Sequence, residues 1–170
     1  MQKFFDLGNI FSICEKAIKI VSILLITFLI FGLVQSLFLS PIDYIQGHSV
    51  RIMYVHVPSS WIALLSFGVI GFLSILNFIF RNKNFGLIGK TIAPIGLMFT
   101  LISIFTGSLW GKPTWGVWWV WDARITSMLV LCFFYLLYIF SWKFISNHSA
   151  NKISSLIAIF GLINLPIIKF

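Results

Sequence analysis

Five apolar runs dominate this chain and leave few folds open to it. Residues 18–39, 57–80, 91–109, 125–142 and 153–169 are each roughly 17 to 24 residues long, the length a helix needs to cross a bilayer. In hydrocarbon no water satisfies backbone N–H and C=O groups, so each run must satisfy its own, as a helix does. Burying the runs in a soluble core fails on composition. Of 170 residues, 59% are hydrophobic and 9% charged, with a mean hydropathy of +1.03. A soluble domain of this size keeps too much surface exposed to hide that much apolar area. The expected fold class is all-α: a polytopic integral membrane bundle of five transmembrane helices, forming one domain over residues 1–170. A cleavable signal peptide is the competing reading of the first run. "SPIDYIQGHS" after it is not an A-x-A-like cleavage site, so the run reads as a retained helix.

The net charge of +8 comes from twelve Lys and Arg against four acids. In a soluble protein that would suggest nucleic acid. Here the cations stand singly between apolar runs, with no basic patch, which argues against nucleic acid and for a topology signal. Basic residues beside the membrane also attract the anionic lipids of the bilayer. With the N-terminus inside, the inner segments hold Lys3, Lys16, Lys19, Arg81, Lys83, Lys90, Lys143 and Lys152, whereas the outer loops hold only Arg51, Lys112 and Arg124. The expected topology is N-in, C-out. Two outer loops follow: residues 40–56, with Asp43, His48, Arg51 and His56, and the tryptophan-rich stretch 110–124. Cys14 and Cys132 read as small apolar residues that do not pair, and no CxxC or zinc spacing is present.

The stretch "WGKPTWGVWWVWDAR" holds five of the seven tryptophans. If it is helical, Trp115, Trp118, Trp119 and Asp122 share a face; if extended, Trp115, Trp119 and Trp121 do. Gly111, Pro113 and Gly116 are expected to break a long helix here, so that the segment lies along the interface. An aromatic belt accounts for one or two interfacial tryptophans. Five beside a lone acid favour a platform for a large planar apolar ligand. Asp122 is also placed to cap a helix starting near Ile125, where a carboxylate meets unpaired N–H groups. Arg51, Lys112 and Arg124 are either plain outer flanks or partners for ligand carboxylates.

His56, in "RIMYVHVPSSW", sits where the second span enters from outside. It is a candidate metal or haem ligand, or else an interfacial histidine bonded to backbone. His48 and His148 read as surface residues. Gly68, Gly71 and Gly107 fit close helix packing. No Ser-His-Asp set, paired carboxylates or phosphate loop is present, so no catalytic residues are assigned.

Together "GKPTWGVWWVWDARITS" and "RIMYVHVPSSW" carry a resemblance. The first resembles the tryptophan-rich WWD segment of the haem-handling membrane proteins of cytochrome c maturation, the CcmC, CcmF and CcsA/CcsB types. The second, with the terminal "GLINLPIIKF", narrows it to the CcmC type over about residues 15–170. The resemblance implies a protein that presents transiently bound haem b on the outer face of a bacterial, or mitochondrial, inner membrane. It implies delivery to the haem chaperone CcmE in association with CcmA, CcmB and CcmD. By motif, His56 matches an axial ligand of the haem iron, and Trp115, Trp118, Trp119, Trp121 and Asp122 match the WWD core. It also implies a further outer loop with the second axial histidine, and a sixth helix, neither within residues 1–170. The competing functions are a structural membrane subunit that anchors partners without haem, and a transporter subunit. Spans with almost no mid-depth ionisable residues argue against the transporter.

Overall fold

The computed structural model of the chain describes residues 7–169, with side chains left out at 7–11, 147, 148 and 169. Lys3, counted above among the inner cations, therefore lies outside the described residues, and His148 and Lys169 enter through their backbone alone. The described residues are almost entirely helical, and five helices are long and apolar enough to cross a membrane: Ser12–Leu39, His48–Phe80, Asn84–Trp115, Ala123–Phe144 and Ser149–Ile168. The all-α polytopic expectation holds. The chain divides into two units, Met1–Pro41 and Ile42–Phe170.

In the first unit α1 (Leu7–Val34) runs into a π-helical turn, Gln35–Leu39. Two hydroxyls of this unit bond back to carbonyls one turn earlier, Thr27 Oγ1 to Ile23 O at 2.9 Å and, in the π-helical turn, Ser36 Oγ to Leu33 O at 3.2 Å. A helix apolar on every side needs this internal satisfaction in lipid.

The second unit begins with a loop and a 3₁₀ turn, His48–Ile52, which leads directly into α2 (Met53–Phe80). It continues through α3 (Asn84–Trp115), α4 (Ala123–Phe144), α5 (Asn147–Gly161) and α6 (Asn164–Lys169). The helices overrun the apolar runs, and two expectations are corrected. First, α3 does not break at Gly111 or Pro113; it continues to Trp115. Pro113 lies in the last turn, where its missing N–H removes a single bond. The helix stops at Gly116, which takes φ 77°, a left-handed conformation natural to glycine at this cap, with its N–H bonded to Lys112 O at 3.0 Å. Second, the fifth run forms the span Ser149–Ile168 but carries a turn at 162–163 within it. Pro166 cannot donate to Leu162 O, and the chain turns between α5 and α6. Asn164 Nδ2 ties the turn to α4 by donating to Ser127 O at 2.8 Å.

Close approach holds the unit together. The buried positions of α3 from Gly86 to Ser103 are all small: Gly86, Gly89, Ala93, Gly96, Thr100 and Ser103. They recur at spacings of three and four, which puts them on one face. Large residues fill the space opposite. A Cβ at Gly96 would collide with the Tyr135 ring, and one at Gly89 with the Tyr138 hydroxyl. Lipid is as apolar as leucine, so tight packing and interhelical hydrogen bonds must drive association. Buried bonds of this kind include Tyr135 Oη donating to Ala63 O at 2.7 Å and Asn77 Nδ2 donating to Ser155 Oγ at 2.9 Å.

Candidate functional site

His56 stands one turn into α2 and faces α3. Its Nδ1 lies 3.0 Å from Ser103 O and 3.1 Å from Thr106 Oγ1. A carbonyl only accepts, so Nδ1 carries the proton and donates. Thr106 gives its own proton to Ile102 O at 2.7 Å, which leaves its oxygen a lone pair to receive His56. In a neutral imidazole held this way Nε2 is the nitrogen with the free lone pair, the one able to ligate a metal.

The ring is enclosed by the same face of α3. A Cβ at Gly107 would stand 3.0 Å from His56 Cε1 and 3.4 Å from Nδ1, close enough that the imidazole would have to shift by a few tenths of an ångström. Trp110 meets it edge-on, with ring centroids 5.8 Å apart and planes at 61°. Ser60 adds a brace: its Oγ donates to His56 O at 2.9 Å and lies 2.5 Å from Ser103 Oγ.

The first loop reaches the same place. Asp43 Oδ1 accepts from Ile45 N at 2.9 Å and Gln46 N at 2.7 Å, a local turn that Asp favours. The turn presents Gln46, whose Oε1 accepts from Trp110 Nε1 at 2.9 Å. The 3₁₀ turn carries exposed His48 and half-buried Arg51, so His48 takes no part in enclosing His56.

Neither regular arrangement expected for the tryptophans forms along the whole stretch. Trp110 and Trp115 belong to α3, and Gly116 reverses the chain before Trp118, Trp119 and Trp121. The shared helical face of Trp115 with Trp118, Trp119 and Asp122 is therefore lost. In the extended part Trp119 and Trp121 do meet, with centroids 5.5 Å apart at 74°. Two bonds fold this loop back on α3: Ser108 Oγ donates to Trp118 O at 2.7 Å, and Lys112 Nζ to Gly116 O at 2.9 Å. Lys112 Nζ also sits 5.8 Å from the Trp118 ring centroid, over its face. Trp115, Trp118 and Trp121 remain 57%, 55% and 74% exposed. Trp119 is half-buried, and its Nε1 has no acceptor among the described residues.

Asp122 caps α4 as expected: Oδ1 accepts from Ile125 N at 2.7 Å from an extended backbone. Arg124 follows, exposed, in the first turn.

The structure thus gathers His56, Trp110 and the first loop at one end of the unit. The reading of single residues missed Ser103, Thr106 and the service of Gly107 to His56. A signal was present: Ser103, Thr106, Gly107 and Trp110 follow the i, i+3, i+4, i+7 pattern of one helix face. Among the described residues no cluster of three or more His, Cys, Asp or Glu could hold a metal ion. A lone imidazole edged by Trp110, with exposed indoles in the loop that follows α3, suits a metal that brings its own equatorial ligands in a planar ring.

Comparison with known proteins gives the same direction. Residues 1–170 match the family described as CcmC, Heme exporter protein C. The chain is 43% identical over 140 residues to Heme exporter protein C of Bradyrhizobium diazoefficiens, covering 82% of this chain and 53% of that one. It is 39% identical over 166 residues to Heme exporter protein C of Escherichia coli, covering 95% and 66%. A ccmC-like mitochondrial protein of Marchantia polymorpha is 47% identical over 135 residues, covering 79% and 57%. The chain spans about half to two thirds of the length of these curated relatives.

Proposed function

The chain belongs to the CcmC, Heme exporter protein C, family, and on that premise we propose that it holds haem at the outer face of the membrane during cytochrome c maturation. One observation carries the proposal. Ser103 and Thr106 hold the proton of His56 on Nδ1, which leaves Nε2 as a ligand nitrogen on a ring that meets Trp110, the first residue of the tryptophan stretch. The donor set fits haem better than a bare ion: one imidazole, exposed indoles and a buried indole N–H without an acceptor. Haem would supply a planar apolar ring, an iron open to axial ligation, and two carboxylates.

In this reading His56 is an axial ligand. Trp115, Trp118, Trp119 and Trp121 form the platform, Asp122 ends it by starting α4, and Arg51 and Arg124 take the carboxylates as bidentate partners. The residues themselves bind and orient; none is assigned a bond-making step. The ligand is haem b, handed to CcmE, with CcmA, CcmB and CcmD as membrane partners. The site faces outward from a bacterial or mitochondrial inner membrane with the N-terminus inside, and residues 1–170 act as one domain. Support comes from the bias of single cations toward the inner segments and from the similarity to Heme exporter protein C of other organisms.

The test is haem titration of the full chain in detergent, read from the Soret band, for wild type, His56→Ala and Trp119→Ala. Both variants are expected to bind more weakly, with the axial-histidine spectrum lost in His56→Ala. Unchanged binding and spectra in both would remove the site. Wild-type protein that copurifies with membrane partners yet binds no haem would favour an anchoring subunit instead.

A further inference from the structure

We propose that Thr106 and Gly107 of α3 are positioning residues that set the tautomer, place and basicity of the His56 imidazole. The inference rests on the reading of His56 as a haem ligand. Neither residue touches the proposed haem; both act through His56.

Three observations converge on the pair. Thr106 Oγ1 lies 3.1 Å from Nδ1, and its own proton is committed to Ile102 O at 2.7 Å, so it can only accept from the ring. Nδ1 thus donates to two oxygens at once, the Thr106 hydroxyl and the Ser103 carbonyl at 3.0 Å. A hydrogen bond from the far nitrogen makes a metal-bound imidazole more electron-rich and fixes its plane. Next to Thr106, any side chain at Gly107 would press on the ring, its Cβ 3.0 Å from Cε1 and 3.4 Å from Nδ1. The ring could then keep its bonds only by moving. The α3 face therefore works as a two-part mould, an acceptor for Nδ1 and, one residue on, a gap that admits the same edge of the ring. Packing alone would require the gap but not the acceptor.

The test uses the full chain in detergent with added haemin, and compares wild type, His56→Ala, Thr106→Val, Thr106→Ser and Gly107→Ala. Affinity, the axial-histidine signature in the absorption spectrum and the haem midpoint potential are measured. Thr106→Val keeps shape and removes the acceptor. It is expected to weaken haem binding about tenfold, the lower end of the loss seen when an outer partner of a metal-bound histidine is removed. Its midpoint potential should rise, because a less electron-rich imidazole stabilises ferric iron less. Thr106→Ser should restore both values. Gly107→Ala, which displaces the ring without removing the acceptor, should weaken haem binding and perturb the axial-histidine signature. If His56→Ala abolishes the signature while Thr106→Val matches wild type in affinity and potential, the positioning role is overturned and the haem reading stands. If His56→Ala itself is indistinguishable from wild type, the haem reading fails first. Should Thr106→Val not fold, nitrogen NMR of His56 in haem-free wild type decides: an Nδ1–H tautomer is expected, and an Nε2–H tautomer overturns the proposal.

Discussion

Asp122 offers two roles, helix cap and part of the haem platform, and a substitution series separates them. Its Oδ1 accepts from Ile125 N at 2.7 Å, a short charge-assisted bond at the third position of α4. Losing a side-chain acceptor at this place costs about 1 kcal/mol. Losing a negative charge at a helix N-terminus costs about 0.5 kcal/mol more, the carboxylate being exposed. Asp122→Ala loses both, about 1.5 kcal/mol, or roughly a tenfold shift toward the unfolded state. Asp122→Asn and Asp122→Ser keep an acceptor and lose only the charge, so they should fall about twofold. The assay is titration with SDS from mixed micelles, followed by the helical circular dichroism signal of the full chain, with haem binding measured in parallel. If capping is the whole role, haem binding follows stability and Asn and Ser retain it. If the carboxylate also serves the platform, Asn and Ser lose haem while staying folded. Equal stability of Asp122→Ala and wild type would refute the capping argument outright, since the short bond to Ile125 would then contribute nothing.

Other substitutions probe the frame beneath the site. Gly96→Ala should destabilise by about 1–3 kcal/mol, because the added methyl runs into the Tyr135 ring, and SDS titration should show it. Gly68→Ala is the control: the nearest atom to its new Cβ is Leu165 Cδ1 at 3.8 Å, so stability should be almost unchanged. Tyr135→Phe removes the buried bond to Ala63 O and should cost about 1 kcal/mol in the same assay. Trp110→Phe and Gln46→Ala each break the bond between the first loop and α3. Their effects on haem affinity should be similar, and the double variant should be no worse than either single one.

Much of this architecture could be read from the sequence because lipid simplifies the problem. Length and hydropathy alone define a span, so all five appeared, and Asp122 could be named as a cap because capping is local chemistry. The misreadings came from competition between local signals. Pro113 and Gly111 look like helix breakers, yet one lost bond in a last turn is a small penalty, and α3 reaches Trp115. At the other end, Pro166 and Asn164 together divide the fifth run, since the bond of Asn164 to Ser127 O on α4 is invisible in sequence. The surroundings of His56 were missed for a third reason. They depend on which turn of α3 lies opposite which turn of α2, and hydropathy carries no such register. Trp110 shows this well. It stands outside the WWD core, yet it is the tryptophan that meets the imidazole.

That register has a visible source, and it joins packing to the site. The small residues of α3 from Gly86 to Ser103 form a stripe, and the same face continues through Gly107 to Trp110. Large side chains seated along the stripe fix the height of α3. Tyr135 against Gly96 also reaches across to Ala63 O on α2, so one residue gauges both helices. Gly96 and Gly107 are eleven residues apart, about three turns or some 16 Å along the axis. A displacement of α3 at Gly96 is carried up a rigid helix to the acceptors of His56 almost undiminished. The imidazole tolerates little of it, because a hydrogen bond of 3.1 Å to Thr106 is lost by about half an ångström of separation. Gly96→Ala should therefore weaken haem binding as well as stability, although it lies far from any proposed ligand contact. Gly68→Ala, on α2 but off the stripe, should do neither.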